Sequence, residues 1–296
     1  MGFGLLADRN RWPAATLASN ADWSPNSPLV SCQSLPLLTA AVSTRLGTAA
    51  NPVVIQAAFT ERYACTYAGF FRINLRQAAR YRLELFASTT FTSLLFDTRN
   101  PTTGRDRAVV PSLLDWRQLR WGDSNLFRGD LPAEDFALYP TNIHVVVPYC
   151  RVGSARWTFY GAAYQPDGTD ADAYSLGYGW ISDSLQFWRS LDAEDGYVAT
   201  DEVTRFPGGG VAVEPGTGYR TVTVPRQVND RQMRDSLFDL ARRVDFHKPV
   251  VWLPNIDDPA ACFRYGGLFQ RRADHTNRWF ASSYTSSSTS LEEITT

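Results

Sequence analysis

Lysine is nearly absent from this chain. Of the 29 basic residues only Lys248 is a lysine, and the rest are arginines. Two explanations stay open: GC-rich coding DNA, or multidentate arginine pairing at subunit interfaces. An excess of charge of one sign is also absent. Thirty acidic residues oppose the 29 basic ones, the net charge is −1 and no basic block stands out. That argues against a sequence-independent grip on nucleic acid. No apolar run approaches the roughly 18–20 residues of a membrane span. The stretch Met1 to Arg9 has no basic region followed by a long apolar core, so no signal peptide is expected. Gly2 is not followed by the Ser or Thr that myristoylation needs. The expectation is a protein made in the cytoplasm.

Cysteine and histidine are scarce, at four and three residues. Cys32, Cys65, Cys150 and Cys262 are far apart and form no CxxC pair, so reduced, buried thiols are expected. His144 sits in a strand context, as a packed or hydrogen-bonded residue would. His247 follows a helix, where a cation suits the C-terminal dipole. His275 lies in a polar turn. No HExxH or HxH spacing supports zinc. No GxSxG elbow, P-loop or dinucleotide loop is present, and Gly208 to Gly210 lead into a strand rather than a helix. Asp167, Asp170 and Asp172 surround Gly168 with a spacing that could bring oxygens to Ca²⁺, although it is not an EF-hand loop. A hydrated turn is the plainer reading. No catalytic residue, cofactor or metal site is assigned.

The chain is rich in apolar residues (44%) and aromatics (13%), enough for real cores. β-prone segments recur at 53–59, 69–75, 81–87, 91–96, 143–147, 155–160, 178–181 and 185–188. In one of them Tyr81, Leu83 and Leu85 face one way, with Arg82 and Glu84 between them. Residues 1–50 read as an extended arm, and Asn100 to Gly104 as a turn. Between 105 and 142 lies a long aromatic loop region with Trp116, Trp121, Phe127, Phe136 and Tyr139. Its tryptophans suit an interface or core, or stacking on sugar rings.

The domain boundary is expected near 190. Residues 1–190 are predicted to form a β-sandwich with an N-terminal arm and the aromatic loop. Residues 191–296 are predicted to be α+β with one helix over about 230–244. There Asn229 and Asp230 offer a cap, and Met233, Leu237, Leu240, Ala241 and Val244 form one apolar stripe. Asp257, Asp258 and Pro259 suit a turn or helix cap. Phe263–Phe269 and Arg278–Tyr284 are further strand candidates. The Ser/Thr-rich stretch 282–290, with Tyr284, suits an edge strand open for pairing.

The layout and several short signatures resemble minor tail or baseplate proteins of tailed bacteriophages, of the distal-tail-like type. The signatures are Leu17 to Trp23 with Leu35 to Leu37, Ala155 to Phe159 and Gly177 to Trp188. They continue with Arg220 to Val224, the helix, Pro249 to Trp252, Asp258-Pro259, Tyr265-Gly266 and Leu291 to Ile294. The resemblance implies a mainly β chain: a galactose-binding-like sandwich, then a tail-tube-like β-sandwich or split barrel with one α-helix. It implies a non-enzymatic structural part of a virion tail, connecting the tail tube to distal tail proteins. Its partners would be further copies in a ring, for which a hexamer is one candidate, and the tail tube and hub proteins. Trp116, Trp121, Phe127 and Tyr284 are the expected interface residues. Two alternatives remain: a module recognising a host surface glycan, or a glycan-cleaving enzyme with two carboxylates facing one cleft.

Overall fold

The computed structural model describes residues 3–111, 131, 136, 139–165, 168–188, 194–200, 202–205, 211–214, 218–228, 231–273, 276–281 and 284–295. Strands β1 (Phe3–Ala7), β2 (Thr16–Ser19), β3 (Ala41–Val42), β4 (Val53–Ile73), β5 (Arg80–Phe86), β6 (Leu94–Asp97) and β7 (Arg107–Ala108) come first. β8 (Ile143–Tyr160), β9 (Ala163–Tyr164), β10 (Asp170–Ala171), β11 (Ser175–Ser182) and β12 (Leu185–Trp188) follow. Next come β13 (Glu194–Val198), β14 (Glu202–Arg205), β15 (Val211–Glu214), β16 (Tyr219–Val228) and helix α1 (Arg231–Arg243). β17 (Val250–Leu253), helix α2 (Pro259–Tyr265), β18 (Gly267–Arg271), β19 (Thr276–Ala281) and β20 (Tyr284–Glu293) close the order. The protein is mainly β, with two large sheets and these two α-helices among the described residues.

The chain divides into two compact units. A sandwich unit holds Arg9–Ser184 and Ile256–Arg264; a closing unit holds Met1–Asp8, Leu185–Asn255 and Tyr265–Thr296. The boundary expected near 190 thus falls between Ser184 and Leu185. Each unit also takes a piece that the linear division gave to the other.

In the sandwich unit the sheet order is β3-β11-β4-β8-β5-β6, with β2 on β4 and β7 on β5. The alternation Val53, Ile55, Ala57 and Phe59 is buried, as a half-buried strand requires. β4 then continues to Ile73 where two shorter strands were expected, because exposed Thr60, Glu61 and Arg62 interrupt the apolar pattern but not the strand. Register shifts against β8 between Ala58 and Tyr63, and between Cys65 and Tyr67, bend both long strands. Phe70, beyond the bend, meets Trp157 and Phe159 edge-on at 5.2 and 5.7 Å. The sheet therefore folds over onto its own first half. Residues 9–50 are not a loose arm. Trp12 is fully buried and edge-on to Phe70 at 5.2 Å. A β-carbon at Gly179 would stand 2.4 Å from the Trp12 Nε1, so only glycine admits that indole. Asn10 holds the approach, donating to the Gly179 carbonyl at 2.8 Å and accepting from the Ile181 amide at 3.1 Å.

The closing unit holds one large sheet, ordered β12-β1-β17-β18-β20-β16-β13 with β19 also on β20, and a separate hairpin of β14 and β15. β1 lies between β12 and β17, so residues 3–7 are an interior strand. Helix α1 forms where the period-3.6 stripe predicts it. Leu237, Leu240 and Val244 are buried with Trp252, Phe269 and Leu291, and Met233 packs at the margin. Its C-terminal carbonyls find partners from outside the helix: the Arg271 guanidinium donates to Ala241 and Val244 at 2.9 and 2.7 Å, and Lys248 donates to Arg243 at 3.0 Å. The lone lysine is thus a helix cap. A second helix, α2, stands where a turn and then a strand from Phe263 were expected. Asp258 Oδ1 accepts from the Ala261 amide at 3.0 Å, with Pro259 in the first helical position. The cap was legible, but seven residues are too few for a periodic stripe. The open edge expected at 282–290 is overturned. β20 pairs with β16 on one side and with β18 and β19 on the other, since Ser and Thr alternation suits an interior strand as well as an edge.

Candidate functional site

Of the four expected interface residues only Tyr284 is among the described residues. Trp116, Trp121 and Phe127 lie outside the described residues. Tyr284 opens β20 opposite Ala281. Two described aromatics of the 105–142 region serve the core: Phe136 stacks on Phe263 at 6.4 Å, and Tyr139 lies 6.2 Å from the same ring. Asp167 is also outside the described residues. Asp170 is bound by Arg76 at 2.8 Å and Asp172 is exposed. No cluster of three metal-ligating side chains occurs among the described residues. His144 accepts or donates at Nδ1 to the Tyr67 hydroxyl at 2.7 Å and packs against Phe71. His247 is exposed after α1, and His275 is outside the described residues.

The spacing of the cysteines hides one juxtaposition. Cys65 and Cys150 are register partners across β4 and β8, 85 residues apart in the chain. The Cys150 thiol donates to the Cys65 carbonyl at 3.8 Å. The contact between the two thiols, then burial, push Cys65 well up, while the same contact lowers Cys150. Burial pushes Cys32 up to about 12.

A cleft of about 450 Å³ opens at the edge of the sandwich unit, within the size range of small-ligand sites. Arg80, Thr98, Arg99, Asn100, Pro101, Thr103, Arg105, Asp106 and Arg107 line it. Most of these belong to the loop from β6 to β7, and its shape follows from the sequence. Asn100 Oδ1 accepts from the Thr102 and Thr103 amides at 2.9 and 3.0 Å, closing an Asx turn. Gly104, with φ +65°, takes the left-handed position that ends it. Thr98 is buried and pins the loop's start, exchanging hydrogen bonds with the Leu83 backbone at 2.8 and 3.0 Å. Arg80 donates to the Asp106 carbonyl at 3.1 Å and Arg107 to the Thr98 carbonyl at 3.0 Å.

A charge network beneath the cleft orients Arg99. Glu84 and Asp97 are directly opposed across β5 and β6, a like-charge pair that destabilises unless neutralised. Arg82 meets Glu84 at 2.7 Å and Asp97 at 2.8 Å, and Arg156 reaches Glu84 at 3.5 Å. Asp97 also takes the Arg99 Nε at 3.0 Å and the Arg99 amide at 2.9 Å. Partial burial alone would raise Asp97, but the hydrogen bonds from Arg82 and Arg99 and the Arg82 charge outweigh it and hold the carboxyl at about 2. A folded-state value below the unfolded one stabilises the protein above the unfolded value. That contribution is lost as pH falls from about 4 to about 2, and linkage limits it to about 2 kcal/mol before solvent screening. Melting temperature against pH should therefore fall more steeply in this window for the native chain than for Asp97→Asn. Parallel curves would show that Asp97 carries no such linkage.

Among the described residues no carboxylate lies within ion-pair distance of Arg80, Arg105 or Arg107. Asp106 Oδ1 is closed off from solvent, with the Tyr160 phenol as the donor beside the carboxylate. Burial, then the nearby Asp106 charge and a hydrogen bond with its side chain, push the Tyr160 phenol up. The arrangement offers forked guanidinium donors with hydroxyls and one carboxylate among them. The signal for it in the sequence was the local density of arginine at 80, 99, 105 and 107, which a chain-wide arginine bias masks.

No family model matches the chain, and no curated protein matches it. Among solved structures it is similar to the lectin domain of lectinolysin complexed with Lewis B antigen. That match is 5% identical, covers 60% of this chain and 98% of that one, and has a TM-score of 0.36. A fucose-binding module of Streptococcus pneumoniae is 7% identical over 59% of this chain and 98% of its own, with a TM-score of 0.34. A Clostridium perfringens CBM32 module in complex with GlcNAc-α-1,4-galactose is 10% identical over 59% and 94%, with a TM-score of 0.33. Likeness at this level assigns no residue and no ligand to the present chain.

Proposed function

We propose that this protein is a structural component of a bacteriophage tail tip that assembles into a ring by sheet continuation. The observation that carries the reading is the closing unit's sheet, which ends on β12 at one side and β13 at the other, neither with a second partner among the described residues. Two sheet edges left unpaired by strands among the described residues favour head-to-tail pairing between copies, which closes into a ring when the rotation per copy divides a full turn. Tyr197 on β13 is 70% exposed, a large side chain on that edge. The galactose-binding-like character of the sandwich and the tube-like character of the closing unit belong to the same reading. Mass photometry of the purified chain should show one closed oligomer. Tyr197→Lys with Gln186→Lys, charging both edges, should shift it at least tenfold in concentration toward monomer. A chain that stays monomeric at about 100 μM would overturn the reading, since specific strand-mediated interfaces associate well below that.

A second reading, recognition of a host surface glycan by the sandwich unit, is favoured by the arginine-lined cleft. The solved structures similar to this chain include a lectin domain complexed with Lewis B antigen and a fucose-binding module, but the reading rests on the cleft.

A further inference from the structure

We infer that Cys65 and Cys150 are a redox pair, which a small-molecule disulfide closes into a bond across β4 and β8. The two are register partners 85 residues apart in the chain, and both are free thiols. Partners in an antiparallel ladder have Cα atoms about 4.5–5.5 Å apart, within the about 4.4–6.8 Å that a disulfide spans. Opposed residues also point to the same face, so neither strand has to turn. The Cys150 thiol already leans on its partner, donating to the Cys65 carbonyl at 3.8 Å. The ladder loosens beside the pair. Cys65 to Tyr67 on β4 spans the same stretch as Cys150 to Val146 on β8, so β8 carries the slack. Pro148 in that bulge has no amide proton to give to the ladder. The β8 backbone can thus adjust at Cys150 while the pairing on either side is kept.

The thiols differ in access. Cys65 is fully buried in the core of the sandwich unit, and Cys150 lies half-buried at its margin. Cys32 and Cys262 are buried, and Cys32 donates to the Leu29 carbonyl at 3.0 Å. A reagent from solvent therefore meets Cys150 first. The thiol contact that lowers Cys150 and raises Cys65 puts the thiolate on that same residue. In the first step the Cys150 thiolate attacks one sulfur of the small disulfide, RSSR. A Cys150–SR bond forms, the S–S bond breaks and RS⁻ leaves. Cys65 then attacks the Cys150 sulfur, the cross-strand bond forms and the second RS⁻ leaves. The two thiol protons end on the two RS⁻, giving two RSH. The protein loses two electrons and the small disulfide gains them. The pair stands beside the register shift where β4 and β8 bend. Closing it fixes the two long strands to each other at the bend, and the long loop so closed restricts the unfolded chain.

The test treats the full native chain with excess oxidised glutathione at mildly alkaline pH, then alkylates it and maps its peptides without reduction by mass spectrometry. The expected product links Cys65 to Cys150, leaves Cys32 and Cys262 as thiols and reverts with dithiothreitol. Its melting temperature should exceed that of the reduced chain by at least about 5 °C. Cys65→Ala should accumulate the mixed disulfide of Cys150 with glutathione, the step at which the native chain does not stop. Cys150→Ser should slow the reaction of the folded chain at least about tenfold, because Cys65 is then left without its accessible partner. If Cys65→Ala melts early, a quenched time course on the native chain supplies the same readout: the mixed disulfide at Cys150 should precede the link. A stable mixed disulfide at Cys150 of the native chain, with no link, would overturn the inference. So would a link to Cys32 or Cys262, or all four thiols left untouched. Glutathione on Cys65 of Cys150→Ser at the native rate, or a link that lowers the melting temperature, would overturn it as well.

Discussion

Replacing Trp157 by alanine should destabilise the sandwich unit by about 3–5 kcal/mol, the usual cost of deleting a large buried aromatic. Trp157 is fully buried in β8, between β4 and β5. Its ring stacks on Phe159 at 5.9 Å, meets Phe70 edge-on at 5.2 Å and lies 6.0 Å from Tyr81. It is therefore a side chain on which the folded-over half of the sheet rests. Few neighbours can collapse into the space, because the strands on either side are fixed by their ladders. At roughly 2–4 °C per kcal/mol for a unit of this size, the melting temperature should fall by at least about 6 °C. A phenylalanine in its place should cost far less. The buried Trp157 Nε1 has no hydrogen-bond partner, so its removal relieves an unsatisfied donor while most of the packing survives. If Trp157→Phe were as damaging as Trp157→Ala, an unseen partner of the indole nitrogen would have to be invoked. If Trp157→Ala cost under 1 kcal/mol, the two halves of the sheet would not share a core.

Leu237→Asp should cost several kcal/mol in the closing unit and release α1 from its sheet. Leu237 is 3% exposed and sits in a cluster with Leu240, Val244, Trp252 and Phe269. An aspartate there either buries an unpaired charge or takes up a proton to avoid it, and both are costly. The adjacent position is the control. Phe238 is 48% exposed, and Phe238→Asp should change stability by about 0.5 kcal/mol or less. Urea unfolding followed by far-UV circular dichroism would compare the two. Equal effects would mean that the helix is rotated away from the face its stripe defines.

Local signals were legible where one period governs one element. Alternation over 53–59 and 80–86 marked buried strand faces, the stripe from Met233 to Val244 marked a helix, and Asp258-Pro259 marked a cap. Pairings over long sequence distances were not. Nothing in Phe3 to Ala7 says that its neighbours are Val251 to Leu253 and Leu185 to Trp188. Nor does the chain announce that Cys65 faces Cys150, or that a Ser/Thr-rich strand is flanked on both sides. The cleft fell between these cases. Its turn at Asn100 to Gly104 was legible, yet the convergence of Arg80 with Arg99, Arg105 and Arg107 exists only once β5, β6 and β7 are paired.

The place of β1 also sets a timetable for synthesis. Its two partners, β12 and β17, begin at residues 185 and 250, so the strand leaves the ribosome long before either exists. At roughly 5–20 residues per second, β1 waits about 10–40 s for its first neighbour. During that time Leu5 and Leu6, both buried at the end, have nothing of their own sheet to lie against. The sandwich unit meanwhile receives most of its residues and can begin to order. The nascent chain thus carries an unpaired apolar strand ahead of a folding body. For the same reason a substitution within Phe3 to Ala7 acts on the interior of a sheet.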